Sequence, residues 1–271
     1  MNNLLALGAH VFPIGCIGRD EAGDRLVAHF SLQKNANLEG IIRHDGRTVT
    51  KTRILAGDTH TSKQQVIRID REIEGPYPDD VRAQLKQKLI EIAPHVDAIV
   101  LSDYEYGLID RDMMAFAIDV AREKIVVGDS RYNLKNFRGI TLITPNESEA
   151  YALSGIDEGQ DVEEVGRQII ASMEVQGLLI TRGNKGMSLF LRDGAIYHIP
   201  ISGSDEIADV TGAGDTVAAA VTLALASGAD LYTACRIANC AAGVVVMKRG
   251  TAVVTVDELR KVIEENGSLD S

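Results

Sequence analysis

Ala98-Ile99-Val100-Leu101, then Ser102-Asp103, a longer stretch from Ile109 to Arg122, and Ile125-Val126-Val127 together decide the fold. The two outer runs are short, continuous and apolar, as strands buried on both faces are. Between them Met113, Met114, Ala117 and Val120 recur at helical spacing. Strand, helix, strand is the repeating unit of a parallel sheet. The alternation continues outward. Towards the N-terminus, residues 78–93 read as a helix on Val81, Leu85, Leu89 and Ile92, closed by Pro94, and residues 11–17 read as a buried strand. Towards the C-terminus come a strand at 140–143, a helix marked by Val162, Val165, Ile169 and Met173, and a strand at Leu178-Leu179-Ile180. Residues 187–191 and 195–199, joined at Asp193-Gly194, read as a hairpin. Helices at 213–226, 230–246 and 256–265 complete the chain. The pattern predicts an α/β protein with a doubly wound, mainly parallel sheet and helices on both faces. One segment departs from it. Residues 48–54 and 65–70 alternate apolar and polar around Ala56-Gly57-Asp58, which predicts a small antiparallel lid inserted at about 46–73. No Gly-, Ser- or Pro-rich linker separates two cores, so one domain over 1–271 is expected.

The 271 residues are ample for a core, and their 28 Lys and Arg against 39 Asp and Glu give a formal net charge of −11. That charge argues against nucleic acid and anionic membranes as partners. No apolar run reaches the roughly 18 residues of a membrane span. Phe12-Pro13-Ile14-Gly15-Cys16 loosely resembles a lipoprotein cleavage site, but Met1-Asn2-Asn3 supplies no basic region before it. Cys16, Cys235 and Cys240 have no metal-binding spacing and suit a reducing, cytoplasmic setting.

The strongest chemical signal is Asp209-Val210-Thr211-Gly212-Ala213-Gly214-Asp215-Thr216, directly before a helix. Glycines let backbone approach an anion, and free amides at a helix start supply positive potential. A carboxylate placed there repels a phosphate unless it removes a proton from an attacking hydroxyl, so the string offers an oxyanion cradle and a general base together. The plain alternative is a turn with Asp215 favoured by the helix dipole. Thr144-Pro145-Asn146-Glu147-Ser148-Glu149 follows a strand; Asn146 and Glu149 can face one pocket and hold Mg²⁺ through water, or form a capping box, or both. Thr181-Arg182-Gly183-Asn184-Lys185-Gly186 and Ser102-Asp103-Tyr104-Glu105-Tyr106-Gly107 lie at strand ends, where doubly wound sheets bind ligands. Each also reads as an ordinary turn, with Asp103 as a cap.

At these residues the chain resembles the ribokinase-like (phosphofructokinase-B) carbohydrate kinases. The 209–215 string is similar to their C-terminal signature, and 144–149 to their Asn-x-x-Glu motif. Within the family the nearer resemblance is to the heptose-7-phosphate kinase domain of bacterial ADP-heptose synthases. It rests on Thr50-Lys51-Thr52-Arg53, residues 64–70, Leu101-Ser102-Asp103-Tyr104, Thr181-Arg182 with Gly186-Met187-Ser188-Leu189, and residues 241–246. The resemblance implies ATP and Mg²⁺ as cofactors and a sugar or sugar phosphate as substrate. It implies Asp215 as the base, Gly212, Ala213 and Gly214 as the anion hole, and Asn146 and Glu149 about the metal. It places Thr181, Gly183, Gly186 and Asn239 near the nucleotide, and Lys51, Arg53, Arg68 and Asp103 near the sugar. It also implies a homodimer contact through the lid. Other members of the family, acting on fructose phosphate, ribose or a nucleoside, and a non-catalytic nucleotide-binding remnant are the alternatives.

Departures accompany the resemblance. Tyr106 stands where relatives have Lys, and Gly128-Asp129-Ser130-Arg131 where they have a hydrophobic-Asp-Pro-Lys run, so Arg131 takes the place of that Lys. Asn2 to Ala9 resembles the end of the family's first helix, so a first strand, part of the lid and a Gly-Gly loop are expected to precede it. The His-x-Gly-His motif of the cytidylyltransferase half is not formed by the chain's six histidines.

Overall fold

The computed structural model describes residues 1–57, 64–73, 75–203 and 209–265. These form two compact units, one of residues 12–92 and 106–108, the other of 1–11, 93–105 and 109–271. The chain begins in the larger unit with α1 (Asn2–Ala6).

The smaller unit follows: β1 (Gly15–Gly18), α2 (Glu21–Ser31), β2 (Ile41–His44), β3 (Thr50–Ala56), β4 (Gln64–Arg71) and α3 (Asp79–Ile92). β1 and β2 pair in parallel, and β3 and β4 pair antiparallel as the expected lid. Asp58, expected in the lid's connection, lies outside the described residues. Asp20 caps α2 and accepts from both the amide (2.9 Å) and the hydroxyl (2.6 Å) of Thr48, tying the start of the lid to β1. Strand β1 begins at Gly15, not at Val11 as the apolar run suggested. Pro13 has no N–H to give a ladder, so the strand is interrupted between the bridge at Val11 and Gly15.

The larger unit continues with β5 (Ala98–Asp103), α4 (Arg111–Val120), β6 (Ile125–Ser130), β7 (Leu142–Ile143), α5 (Glu147–Ser154), α6 (Val162–Met173), β8 (Gly177–Thr181), β9 (Met187–Leu191), β10 (Ile196–Ile199), α7 (Ala213–Ala226), α8 (Leu231–Val246) and α9 (Val256–Glu265). Its sheet runs β10-β9-β8-β7-β6-β5. β5 to β8 are parallel, and β9 and β10 form the antiparallel hairpin expected from the sequence. Val127, Leu142, Leu179 and Leu189 of the sheet pack with Val217, Val221, Ala238, Ala241 and Val245 of α7 and α8. Small residues along α7 and α8 let these helices lie close to each other and to the strands. Helices α4, α5 and α6 also contact the sheet, and Val165 and Ile169 of α6 are buried. The expected mainly parallel α/β fold is present. β7 is shorter than its apolar run because Thr141 supplies its hydroxyl, in place of a carbonyl, to the Val126 amide at 3.0 Å.

Candidate active site

The loop from Asp209 is pinned at its base. Asp209 accepts from the amides of Thr211 (2.9 Å) and Gly250 (3.0 Å). Gly212 then takes φ 82°, a left-handed conformation that suits glycine, and becomes the N-cap of α7 without any side chain to cover the helix start. The result is an opening aimed at the start of the helix, the arrangement an anion needs. Of the three expected anion-hole amides, that of Ala213 is already bonded to Val210 O at 3.2 Å, so the turn that sets up the helix start spends one donor. Asp215 stands in that first turn, exposed. Thr216 donates its hydroxyl to Gly212 O (2.9 Å) and accepts from Asn3 Nδ2 (3.0 Å), bolting α1 onto α7.

In front of Asp215 lies a cavity of about 360 Å³ lined by Gly212, Asp215, Ser102, Tyr104, Asp129 and Asn3 among others. Strands β5 and β6 carry Tyr104 and Asp129 here because their carboxyl ends open beside the start of α7, where parallel α/β sheets bind ligands. Tyr104 donates its hydroxyl to Asp215 Oδ1 at 2.8 Å. Burial first, then the charges of Asp215 and Glu149, pushes the Asp129 carboxyl up to about 7. Burial also raises Glu149, against the lowering effect of its bond to the Asn146 amide and of Arg131. Asp129 is thus the electrostatic link between the α7 start and the α5 start. The sequence reading singled out Arg131 in this run and passed over Asp129; its position at the end of a parallel strand was the available signal.

At α5 the capping box is complete: Asn146 Oδ1 accepts from the Glu149 amide and Glu149 Oε2 from the Asn146 amide, both at 2.9 Å. Asn146 also bridges Thr181 at the end of β8, so these two expected nucleotide residues are neighbours. The turn after Thr181 is a hairpin turn into β9, with Gly183–Lys185 as a 3₁₀ turn. Arg182 and Lys185 both pair with Glu147, at 3.3 and 3.5 Å, holding the turn against α5.

Three expected ligands have structural duties. Gly186 has φ 80°, and a Cβ there would lie 2.1 Å from Ile199 O, so packing demands the glycine. Asn239 is 7% exposed and donates to Pro200 O at 2.7 Å. Asp103 is also 7% exposed, and its carboxylate accepts from the Glu105 amide (2.9 Å), Ser130 Oγ (2.9 Å) and Asn133 Nδ2 (3.0 Å). Spent on these donors, it braces the turn after β5.

In the smaller unit, Lys51 and Arg68 both reach Asp70, at 3.5 and 2.9 Å. The register sets Lys51 opposite Asp70 and Arg53 opposite Arg68, so these four share one face. Directly opposed arginines repel, which an anion would relieve. Ile54, Ile67 and Ile69 share the other face and are exposed. Tyr106, standing in place of the family's Lys, donates to Glu72 (3.0 Å) and lies under Lys51, 6.0 Å from its ring.

Known proteins with this architecture bear on the site. The family profile described as "pfkB family carbohydrate kinase" matches residues 1–258. The chain belongs to the pfkB family of carbohydrate kinases. Bifunctional protein HldE of Geobacter metallireducens is 39% identical over 264 residues, covering 95% of this chain and 52% of that protein. The chain spans about half the length of the curated relatives it matches. Among solved structures, phosphofructokinase-2 from Escherichia coli aligns with TM-score 0.79 at 19% identity, covering 97% of this chain and 84% of that one. Ribokinase of Arabidopsis thaliana, solved with ribose and ATP, aligns with TM-score 0.73 at 19% identity, covering 97% and 86%. Both share the fold of this pfkB member. No helix among the described residues is long and apolar enough to cross a membrane.

Proposed function

We propose that this chain transfers the γ-phosphoryl group of ATP to a hydroxyl of a sugar phosphate, with heptose 7-phosphate as the substrate. The observation that carries the reading is the exposed Asp215 in the first turn of a glycine-led helix start, facing the cavity of a carbohydrate-kinase fold. The HldE relatives and the heptose-kinase stretches support the substrate. The ribokinase neighbour solved with ATP supports the donor.

The sugar hydroxyl gives its proton to Asp215 as its oxygen bonds to the γ-phosphorus. The bond from that phosphorus to the β–γ bridging oxygen breaks, and ADP leaves with the electron pair. Amides of Gly212 and Gly214 receive the charge that spreads over the transferred oxygens. Asn146, Thr181 and Gly183 contact the nucleotide. Among the described residues no three His, Cys, Asp or Glu gather as direct metal ligands, but Asn146, Glu149 and Asp129 are hard oxygen donors suited to a hydrated Mg²⁺. Held there, such an ion would neutralise phosphate charge. The Ile54, Ile67 and Ile69 face of the lid supports a homodimer through that face.

The test is ADP release with heptose 7-phosphate, fructose 6-phosphate, ribose and a nucleoside as acceptors. Turnover highest with heptose 7-phosphate is expected. ADP release that no sugar stimulates would overturn the reading.

A further inference from the structure

Tyr104 occupies a constrained place. The residue before it, Asp103, is buried and tied to Ser130 and Asn133. The residue after it, Glu105, has φ 68°, a left-handed conformation that a non-glycine side chain adopts at a cost, and its amide is held by Asp103 Oδ1. The backbone on both sides is therefore fixed, and the phenol it presents donates to Asp215 Oδ1 at 2.8 Å across 111 residues of chain. An ordinary strand end requires neither the left-handed Glu105 nor the buried brace.

We propose that Tyr104 is a positioning residue for the base: its hydroxyl holds Asp215 Oδ1, fixes the carboxylate's rotation, and leaves Oδ2 as the oxygen that takes the sugar's proton. This rests on the kinase reading of Asp215. Burial, and then the charge of Asp215, its hydrogen bond and the charge of Asp129, hold the phenol above its usual range, so it stays protonated and remains the donor. The phenol keeps its proton throughout; only the sugar's proton moves, to Oδ2. The groups facing Asp215 are Tyr104, just after β5, Asp129 from β6 and the amino group of Met1 ahead of α1. Glu149 and Arg131 act at one remove, through Asp129 and Glu149.

The experiment uses Tyr104→Phe, which keeps the ring and removes only the donor, with Asp215→Asn as reference. Carbon-13 NMR of aspartate-labelled protein observes the Asp215 carboxyl at a fixed pH, its signal identified by loss in Asp215→Asn. In Tyr104→Phe that signal should shift, because the carboxylate loses a hydrogen-bond donor, with the melting temperature unchanged. In the kinase assay kcat should fall about 10-fold, with KM for ATP unchanged. An unmoved signal overturns the proposal, whatever the activity. A rise in kcat also overturns it, because the phenol would then be competing with the sugar for Asp215. Absence of sugar-dependent turnover in the unaltered protein would sink the kinase reading alone, and the carboxyl signal would still decide whether Tyr104 holds Asp215.

Discussion

On the proposed reading, Asp215 has to be negative enough to accept a proton and yet sit beside the most negative part of ATP. The helix start resolves the conflict, since its amides attract both anions. Asp215→Asn keeps the size and the bond to Tyr104 but cannot accept the proton. It should lower kcat by roughly 10²–10⁴-fold while ATP affinity, measured by calorimetry, stays near that of the unaltered protein. Near-normal turnover would remove Asp215 from the base's role. Asp129 makes the opposite demand. Its carboxyl is raised to about 7 in the folded protein, above the 3.8 expected of it unfolded. A raised carboxyl favours folding fully below about pH 4, and that contribution is lost as pH rises through about 7. Asp129→Asn should therefore melt about 2–4 °C above the unaltered protein at pH 8 without metal, and the gap should close towards pH 4. An equal gap at both pH values would show that Asp129 is not electrostatically strained.

Helix α5 has an observed structural duty and a proposed chemical one. The capping box uses Glu149 Oε2 and Asn146 Oδ1, and Glu149 Oε1 lies outside it. Glu149→Gln preserves the cap, so the melting temperature should hold while the Mg²⁺ concentration for half-maximal turnover rises several-fold. A fall in melting temperature with unchanged Mg²⁺ dependence would leave only the cap. Elements such as this were legible in the sequence because periodicity and turn chemistry act locally. α3 buries Val81, Leu85, Leu89 and Ile92 as their spacing requires, and α9 covers Val256–Glu265 as expected. The errors have local causes too: Pro13 shortens β1, and the Thr141 hydroxyl replaces a rung of the ladder before β7. The candidate site was legible only where one string held both the proposed anion hole and the proposed base. Tyr104 and Asp215 are 111 residues apart, and Asp129 is raised by burial, so neither fact is visible along the chain. Asp103, Gly186 and Asn239 carried the right motifs but are engaged in packing and bracing.

At the scale of the whole molecule, charge and the lid pull in opposite directions. Each chain carries a net charge of −11, so two copies repel. The β3–β4 ribbon nonetheless exposes Ile54, Ile67 and Ile69 on one face, at 46%, 50% and 43%. Two such faces packed together remove apolar surface from water at about 25 cal/mol per Å², and a stable interface needs roughly 1,200–2,000 Å² in total. The isoleucines supply the apolar centre, and neighbouring ribbon backbone and side chains must supply the rest. Salt separates the two effects. Screening weakens repulsion between the net charges and leaves the apolar contact intact, so association should strengthen from 0.05 to 0.5 M NaCl. By sedimentation velocity the unaltered chain should be a dimer at micromolar concentration. Ile67→Asp places a carboxylate in the middle of that face and should give a monomer, with the far-ultraviolet spectrum unchanged because Ile67 already faces water in one copy. A dimer that survives Ile67→Asp, or that dissociates as salt is raised, would show that the subunits meet through charged groups elsewhere.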